Sequence, residues 1–374
     1  MDSARVRRAG GKIRRRRRAA APARVLLAVT IATALGLAVG SCGSAAQAAA
    51  PRQWRVSAWT EGDVASLQTA TRAQALDEVS ADCWNSNPNG TVDTSASVPA
   101  LVTLAHSKGL RILATVSNWS NRENDFDPAI AATILGSRSR VALQVATLVS
   151  DCVAEGYDGV DLDWESLAPA QRDRFSRFVA RLAAGLHAQG KLVSIAVAAK
   201  TDDQGTWDGA ESEDYAALGN AVDEFKIMTY DYSGSWSGPG PISPTSWMER
   251  VLRYAETRVS PAKIWLGVPF YGCDWQGTTA GSPAPEITYR SAQRLLRRYR
   301  ARVRHLSCGE ATFTYKRARV RHVVVFQDRV ALAAKLAVLT RLHPGIAGIC
   351  IWRMGGEDPR FWTLIDSRLG RTTR

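Results

Sequence analysis

Cysteine and histidine are scarce in this 374-residue chain, with six Cys and five His. No Cys-x-x-Cys pair or paired His spacing occurs, so the usual zinc arrangements are excluded and no metal is expected. No Gly-rich phosphate loop follows the first apolar run, which argues against a dinucleotide-binding open sheet, and no cofactor is expected. Internal repeats and low-complexity tracts are absent beyond an Arg/Ala-rich head. The apolar stretch Val25–Val39 has 15 residues, short of the ~20 that a membrane-spanning helix needs. Disorder is also excluded, because hydrophobic residues make up 45% of the chain, enough for a sizeable core.

The formal charge of +13 suggests nucleic acid until it is located. Residues 1–50 hold ten Arg or Lys against one acid, Asp2. What remains is 38 of the 48 basic and 34 of the 35 acidic residues, a balance of +4 with no basic stripe. No nucleic-acid partner is expected. The head reads as an export segment: a basic region ending at Arg24, the apolar stretch, then small residues with Ala46-Gln47-Ala48 as cleavage site. Val39-Gly40-Ser41-Cys42 offers the alternative of a lipid anchor on Cys42. A secreted or envelope-associated monomer is expected, with residues 51–374 as its catalytic domain.

From Arg52 onward, short apolar runs alternate with stretches of helical period. The runs are Trp54–Trp59, Leu76–Trp84, Leu110–Val116, Gly159–Trp164, Leu192–Ala198, Glu224–Thr229, Ile264–Phe270 and Ile346–Trp352. Val98–His106, Arg138–Glu155, Ala170–Gln189 and Thr245–Thr257 read as helices. Gly109, Gly156 and Gly190 follow three of them, where a helix end favours a left-handed residue. Eight strands alternating with helices predict an α/β fold, a (β/α)8 TIM barrel.

The run Asp158-Gly-Val-Asp-Leu-Asp-Trp-Glu165 carries the chemistry. Side chains alternate along a strand, so Asp161, Asp163 and Glu165 share one face and Val160, Leu162 and Trp164 the other. Like charges raise one another's pKa, so this row is expected to retain a proton near neutral pH, as a general acid requires. Glu165 stands nearest the C-terminal end, where barrel active sites lie.

This pattern resembles the Asp-x-x-Asp-x-Asp-x-Glu signature of glycoside hydrolase family 18, the chitinase-like hydrolases, with Asp158, Asp161, Asp163 and Glu165 at its four acidic positions. Met228-Thr-Tyr230-Asp231 resembles the family's Met-x-Tyr-Asp landmark, and Trp352 closes the last strand where the family places a Trp. The resemblance implies a substrate-assisted, retaining glycosidase. Glu165 would be the proton donor, and Asp163 would stabilise the reacting acetamido group with Asp161 behind it. Tyr230 would donate a hydrogen bond to that group. Asp158, Met228 and Asp231 are expected around the substrate, with Trp352, Tyr271 and Trp119 as aromatic platforms. The partner implied is an N-acetylglucosamine-containing polysaccharide.

The segment from Tyr271 to Phe326 resembles the small α+β insertion that many family members carry between strands seven and eight. Cys273 and Cys308 fall in it and are expected to form a disulfide. Ala114–Trp119 and Leu266–Trp275 are closer to the bacterial cortex-lytic N-acetylglucosaminidases than to chitinases, so chitin, chitooligosaccharide and peptidoglycan all stay open as substrates. A non-catalytic sugar-binding protein is the alternative function. Such lectins lose the last Glu of the signature, and Glu165 is present.

Overall fold

A computed structural model describes residues 54–61, 64–71 and 75–369. The expected export segment 1–50, with Cys42, lies outside the described residues. Eight parallel strands close into a barrel: Arg55–Thr60, Glu78–Ser86, Arg111–Ser117, Gly159–Asp163, Leu192–Ala198, Glu224–Met228, Ile264–Pro269 and Gly348–Trp352. The first strand pairs with both the second and the eighth, which completes the ring. The expected barrel is therefore present, with no strand bound displaced by more than two residues.

Apolar periodicity explains the outer layer. Helix Arg172–His187 buries Phe175, Phe178, Val179, Leu182, Ala183 and Leu186, one stripe of a 3.6-residue repeat. Trp164, on the outward face of strand four, stacks on Phe178 with ring centroids 4.7 Å apart and planes 5° apart. Removing such a ring costs about 3–5 kcal/mol. Because the outward residues of strand four are fixed this way, Asp161 and Asp163 must face the barrel axis.

The insertion forms a second sheet of five antiparallel strands, with Tyr271–Trp275 and Val320–Phe326 adjacent, and helix Tyr289–Tyr299 packs on it. It is tied to the barrel by Glu310. The Glu310 carboxylate accepts from the Ile242 and Ser243 backbone N–H groups at 2.7 and 2.8 Å and from Lys335 Nζ at 2.9 Å. The expected Cys273–Cys308 bridge is absent, and both residues are free thiols. Cys273 packs inward among Tyr230, Tyr271 and Trp275. Cys308 sits in the tight turn closed by the Gly309 N–H to Leu306 oxygen bond.

At the foot of the barrel the same device occurs three times. Asp77, Asp158 and Asp223 each stand one residue before strands two, four and six. Each carboxylate accepts the backbone N–H of a neighbouring strand: Val56 for Asp77, Ile112 for Asp158 and Val193 for Asp223, at 2.8, 2.8 and 2.9 Å. His106 lies 3.1 Å from Asp158, and His187 lies 2.9 Å from Asp223. These aspartates satisfy strand ends that would otherwise leave a donor unpaired. Asp158 is therefore a structural clamp remote from the cleft, and its expected role as a substrate contact is corrected.

Candidate active site

The acidic row climbs from core to cleft. Asp161 is 0% exposed, Asp163 4%, and Glu165 is half-buried beyond the end of the strand. Asn118, at the end of strand three, fixes Glu165 through its backbone. The Glu165 N–H donates to Asn118 Oδ1 at 2.8 Å, and Asn118 Nδ2 donates back to the Glu165 oxygen at 2.9 Å. Ser166, next in the chain, takes a left-handed φ of 63°, which turns the backbone immediately after Glu165.

From strand six come Met228, Tyr230 and Asp231. Gly267 on strand seven leaves room for Tyr230, because a Cβ there would lie 2.3 Å from the Ile227 oxygen and 3.1 Å from the Tyr230 ring. Asp231 is held at φ 58°, a conformation uncommon for a non-glycine residue. Its carboxylate accepts a hydrogen bond from Tyr271 Oη. Burial, with the Asp231 charge adding to it, pushes the Tyr271 phenol well above its ordinary value, so Tyr271 stays a donor. The Tyr230 and Tyr271 rings meet edge to face at 6.1 Å.

Trp352 ends strand eight and tilts against Trp59 of strand one at 6.0 Å. Met228, Tyr230, Tyr271 and Trp352 all belong to one buried cluster at the barrel mouth. A cavity of about 540 Å³ opens beside it, lined by Asp231, Trp236, Cys273, Gln276 and Glu286 among others. Trp119 is placed differently. It is 5% exposed, outside that cluster, with its ring edge on Phe126 at 5.4 Å.

Three charged groups were not anticipated. Lys226, fully buried on strand six, lies 3.2 Å from Asp161 and 2.9 Å from Glu78. Burial acts to lower its pKa, but Asp161, Glu78 and Glu224 together outweigh that, and the ammonium is held above its ordinary value. Glu213, just before helix Tyr215–Ala221, is buried against the end of strand five, where both carboxylate oxygens accept from the Ala198 N–H at 3.2 and 3.0 Å. Burial pushes its pKa well up, and the charges of Glu165 and Asp163 add to this. Buried Lys200 beside it donates to the Asp203, Ala210 and Glu213 backbone oxygens. The available signal was Lys226 within the apolar run Phe225–Met228, since such charges are seldom buried unpaired; Glu213, among polar neighbours, gave none.

The site thus brings a graded carboxyl row, the Tyr230–Tyr271 pair and Trp352 to one barrel. Among the described residues no cluster of His, Cys, Asp and Glu is suited to a metal ion.

Known proteins resemble this chain in sequence and in fold. The chitinase from Chromobacterium violaceum ATCC 12472 superposes with a TM-score of 0.78 at 27% identity, covering 85% of this chain and all of that one. The uncharacterized glycosylase YvbX of Bacillus subtilis is 25% identical over 344 residues, 91% of this chain and 97% of its own length. The cortical fragment-lytic enzyme of Bacillus subtilis is 27% identical over 311 residues, 81% of this chain and 70% of its own length. The family model for glycosyl hydrolases family 18 matches residues 59–357, a span that takes in the acidic row, the tyrosine pair and Trp352, and the chain belongs to that family of glycosidases.

Proposed function

We propose that the protein is an exported hydrolase of β-1,4-linked N-acetylglucosamine-containing glycan, acting with retention through the substrate's own acetamido group. The observation that carries this is the graded row Asp161, Asp163, Glu165 with Tyr230 and Asp231 on the same barrel mouth. Glu165, the most exposed of the three, gives its proton to the glycosidic oxygen as that bond breaks. The 2-acetamido oxygen attacks the anomeric carbon from the opposite side, and an oxazolinium ion forms. Tyr230 Oη donates to the acetamido oxygen, and the Asp163 carboxylate accepts the amide N–H as positive charge develops there. Water then opens the ring, with Glu165 taking back a proton. Trp352 supplies an apolar face for the sugar's C–H groups.

The curated relatives that cover four fifths of the chain or more include the cortical fragment-lytic enzyme, which supports a peptidoglycan-type glycan. The likeness to the Chromobacterium violaceum chitinase favours chitin as the second reading. The basic and then apolar head supports export, with the mature protein free or lipid-anchored at Cys42.

The test is an assay of the purified chain on chitin oligomers, peptidoglycan and cello-oligomers side by side, with NMR of freshly released ends. Cleavage of acetamido glycans with the β-anomer released first is expected. Hydrolysis of cello-oligomers at a comparable rate would show that the acetamido group takes no part.

A further inference from the structure

The barrel core carries a charge column that the reaction as proposed does not use. Lys226 is 0% exposed and sits on the inner face of strand six, two residues below Met228. Its ammonium donates to Asp161 Oδ2 at 3.2 Å and to Ser80 Oγ at 2.9 Å, and pairs with Glu78 Oε1 at 2.9 Å and Glu224 Oε2 at 3.7 Å. The Trp59 ring lies 5.3 Å from Nζ. Below it, Arg111 reaches Glu78 and Glu224, both at 2.7 Å, and Arg55 reaches Glu224 at 3.3 Å. Three cations thus face three carboxyl groups. The two arginines serve the lower pair, and Lys226 is the cation in contact with Asp161. Cys350 on strand eight adds no charge, because burial pushes its thiol well above its ordinary value. Above Asp161 the row continues with Asp163 and Glu165, whose charges act on buried Glu213, and Lys200 acts on Glu213 in the opposite sense; Asp82, two residues beyond Ser80 on strand two, is buried as well.

A fully buried carboxylate without a cation takes up a proton rather than stay charged. Had Asp161 done so, the row would hold its proton at the bottom, out of reach of substrate. We propose that Lys226 is a positioning residue for the acidic row: it keeps Asp161 ionised, so that the proton the row retains is carried by Asp163 and Glu165, beside the scissile bond. The inference rests on the assignment of Glu165 as general acid. An anion fixed beneath Asp163 also favours protonation of the pair above it, so the acid stays loaded to higher pH.

The test is the pH dependence of kcat/KM for the wild type and for K226M, K226R, D161N and the double variant D161N/K226M. D161N removes the anion while Lys226 keeps its charge, so the basic limb should move down by about one pH unit or more. K226M lets Asp161 protonate, so its basic limb should also move down, whereas K226R should keep the wild-type limb. The K226M change should not add to that of D161N in the double variant. A purely structural Lys226 would lower the melting temperature of K226M and leave its basic limb in place. An unmoved basic limb in D161N overturns the proposal even if K226M does not fold, since it means that Asp161 was already neutral. E165Q, measured alongside, tests the acid separately. An inactive E165Q with unmoved limbs rejects Lys226 alone, and an active E165Q rejects the assignment beneath it.

Discussion

Asp158 and Glu165 bound the same short stretch of chain and carry the same functional group, yet they do unrelated work. Asp158 is at the foot of strand four, tied to the Ile112 N–H and to His106. Glu165 is at the head, where Asn118 holds its backbone through two hydrogen bonds. The foot repeats: Asp77 and Asp223 make the same clamp before strands two and six. The head does not repeat. A feature set by barrel geometry recurs with the barrel's period, whereas a feature set by chemistry occurs where the substrate lies. This is the general division of labour between the two faces of such barrels.

The sharpest way to break the comparison is to exchange the effects. Glu165→Gln should reduce turnover by about 10²–10⁴-fold, the usual worth of a general acid, with an unchanged melting temperature. A variant that keeps more than a tenth of wild-type turnover would remove Glu165 from the role. Asp158→Ala should do the reverse. It strands the Ile112 N–H and costs about 1–3 kcal/mol of stability, while kcat below the melting range stays near wild type. Denaturant unfolding and steady-state kinetics on the same preparations would decide. A large kcat loss in a folded Asp158→Ala protein would return this residue to the substrate.

A second foot carboxyl sharpens the comparison through pH. Burial raises Glu224 to about 8 from an ordinary 4.5, Glu78 adds to this, and Lys226 and Arg111 oppose it. As pH rises the unfolded chain gives up this proton first, while the folded protein keeps it. The contribution of Glu224 to stability is therefore complete below pH ~4.5 and declines as pH climbs toward ~8. Glu224→Gln should flatten the fall in unfolding free energy across that window, by up to about 1.4 kcal/mol per pH unit. Urea titrations at a series of pH values measure the slope. An unchanged slope would mean that Arg55 and Arg111 hold Glu224 ionised.

The barrel was legible because each strand is a short apolar run and each helix a stripe of period 3.6. The outward direction of Trp164, which stacks on Phe178, follows from period two alone. The same rule could have placed Asp158 correctly. It lies three residues from Asp161, an odd spacing that takes it off the acidic face, and likeness to a signature overrode that count. Lys226 was passed over because Phe225-Lys226-Ile227-Met228 reads as an apolar strand. Its partner Glu78 is 148 residues away, and no local pattern joins them. Trp119 illustrates the limit for aromatics. Its place after strand three was legible, but Phe126, which covers its edge, comes from a hairpin that no periodicity announced.

The smallest expected effect concerns Cys273 and Cys308. A bridge between them would close a loop of about 35 residues and, on the chain-entropy view, add roughly 3–4 kcal/mol. Their shared place in the insertion made that pairing attractive, but it says nothing about side-chain direction. Cys273 points into the aromatic cluster at the barrel mouth, where burial pushes its thiol well above the ordinary value, with Asp231 and Glu286 adding to this. Cys308 lies in a turn near Glu310 and Lys335, and burial raises its thiol too. What fastens the insertion is the Glu310 carboxylate, with two backbone donors and one lysine. Cys308→Ser should therefore shift stability by no more than about 0.5 kcal/mol, as an ordinary substitution away from the core does, and added reductant should leave the wild-type melting temperature unmoved. Glu310→Gln should cost more, because it leaves the buried Lys335 without its anion. Thermal unfolding of the three proteins with and without reductant gives the order, and a fall of several degrees in reduced wild type alone would restore the disulfide.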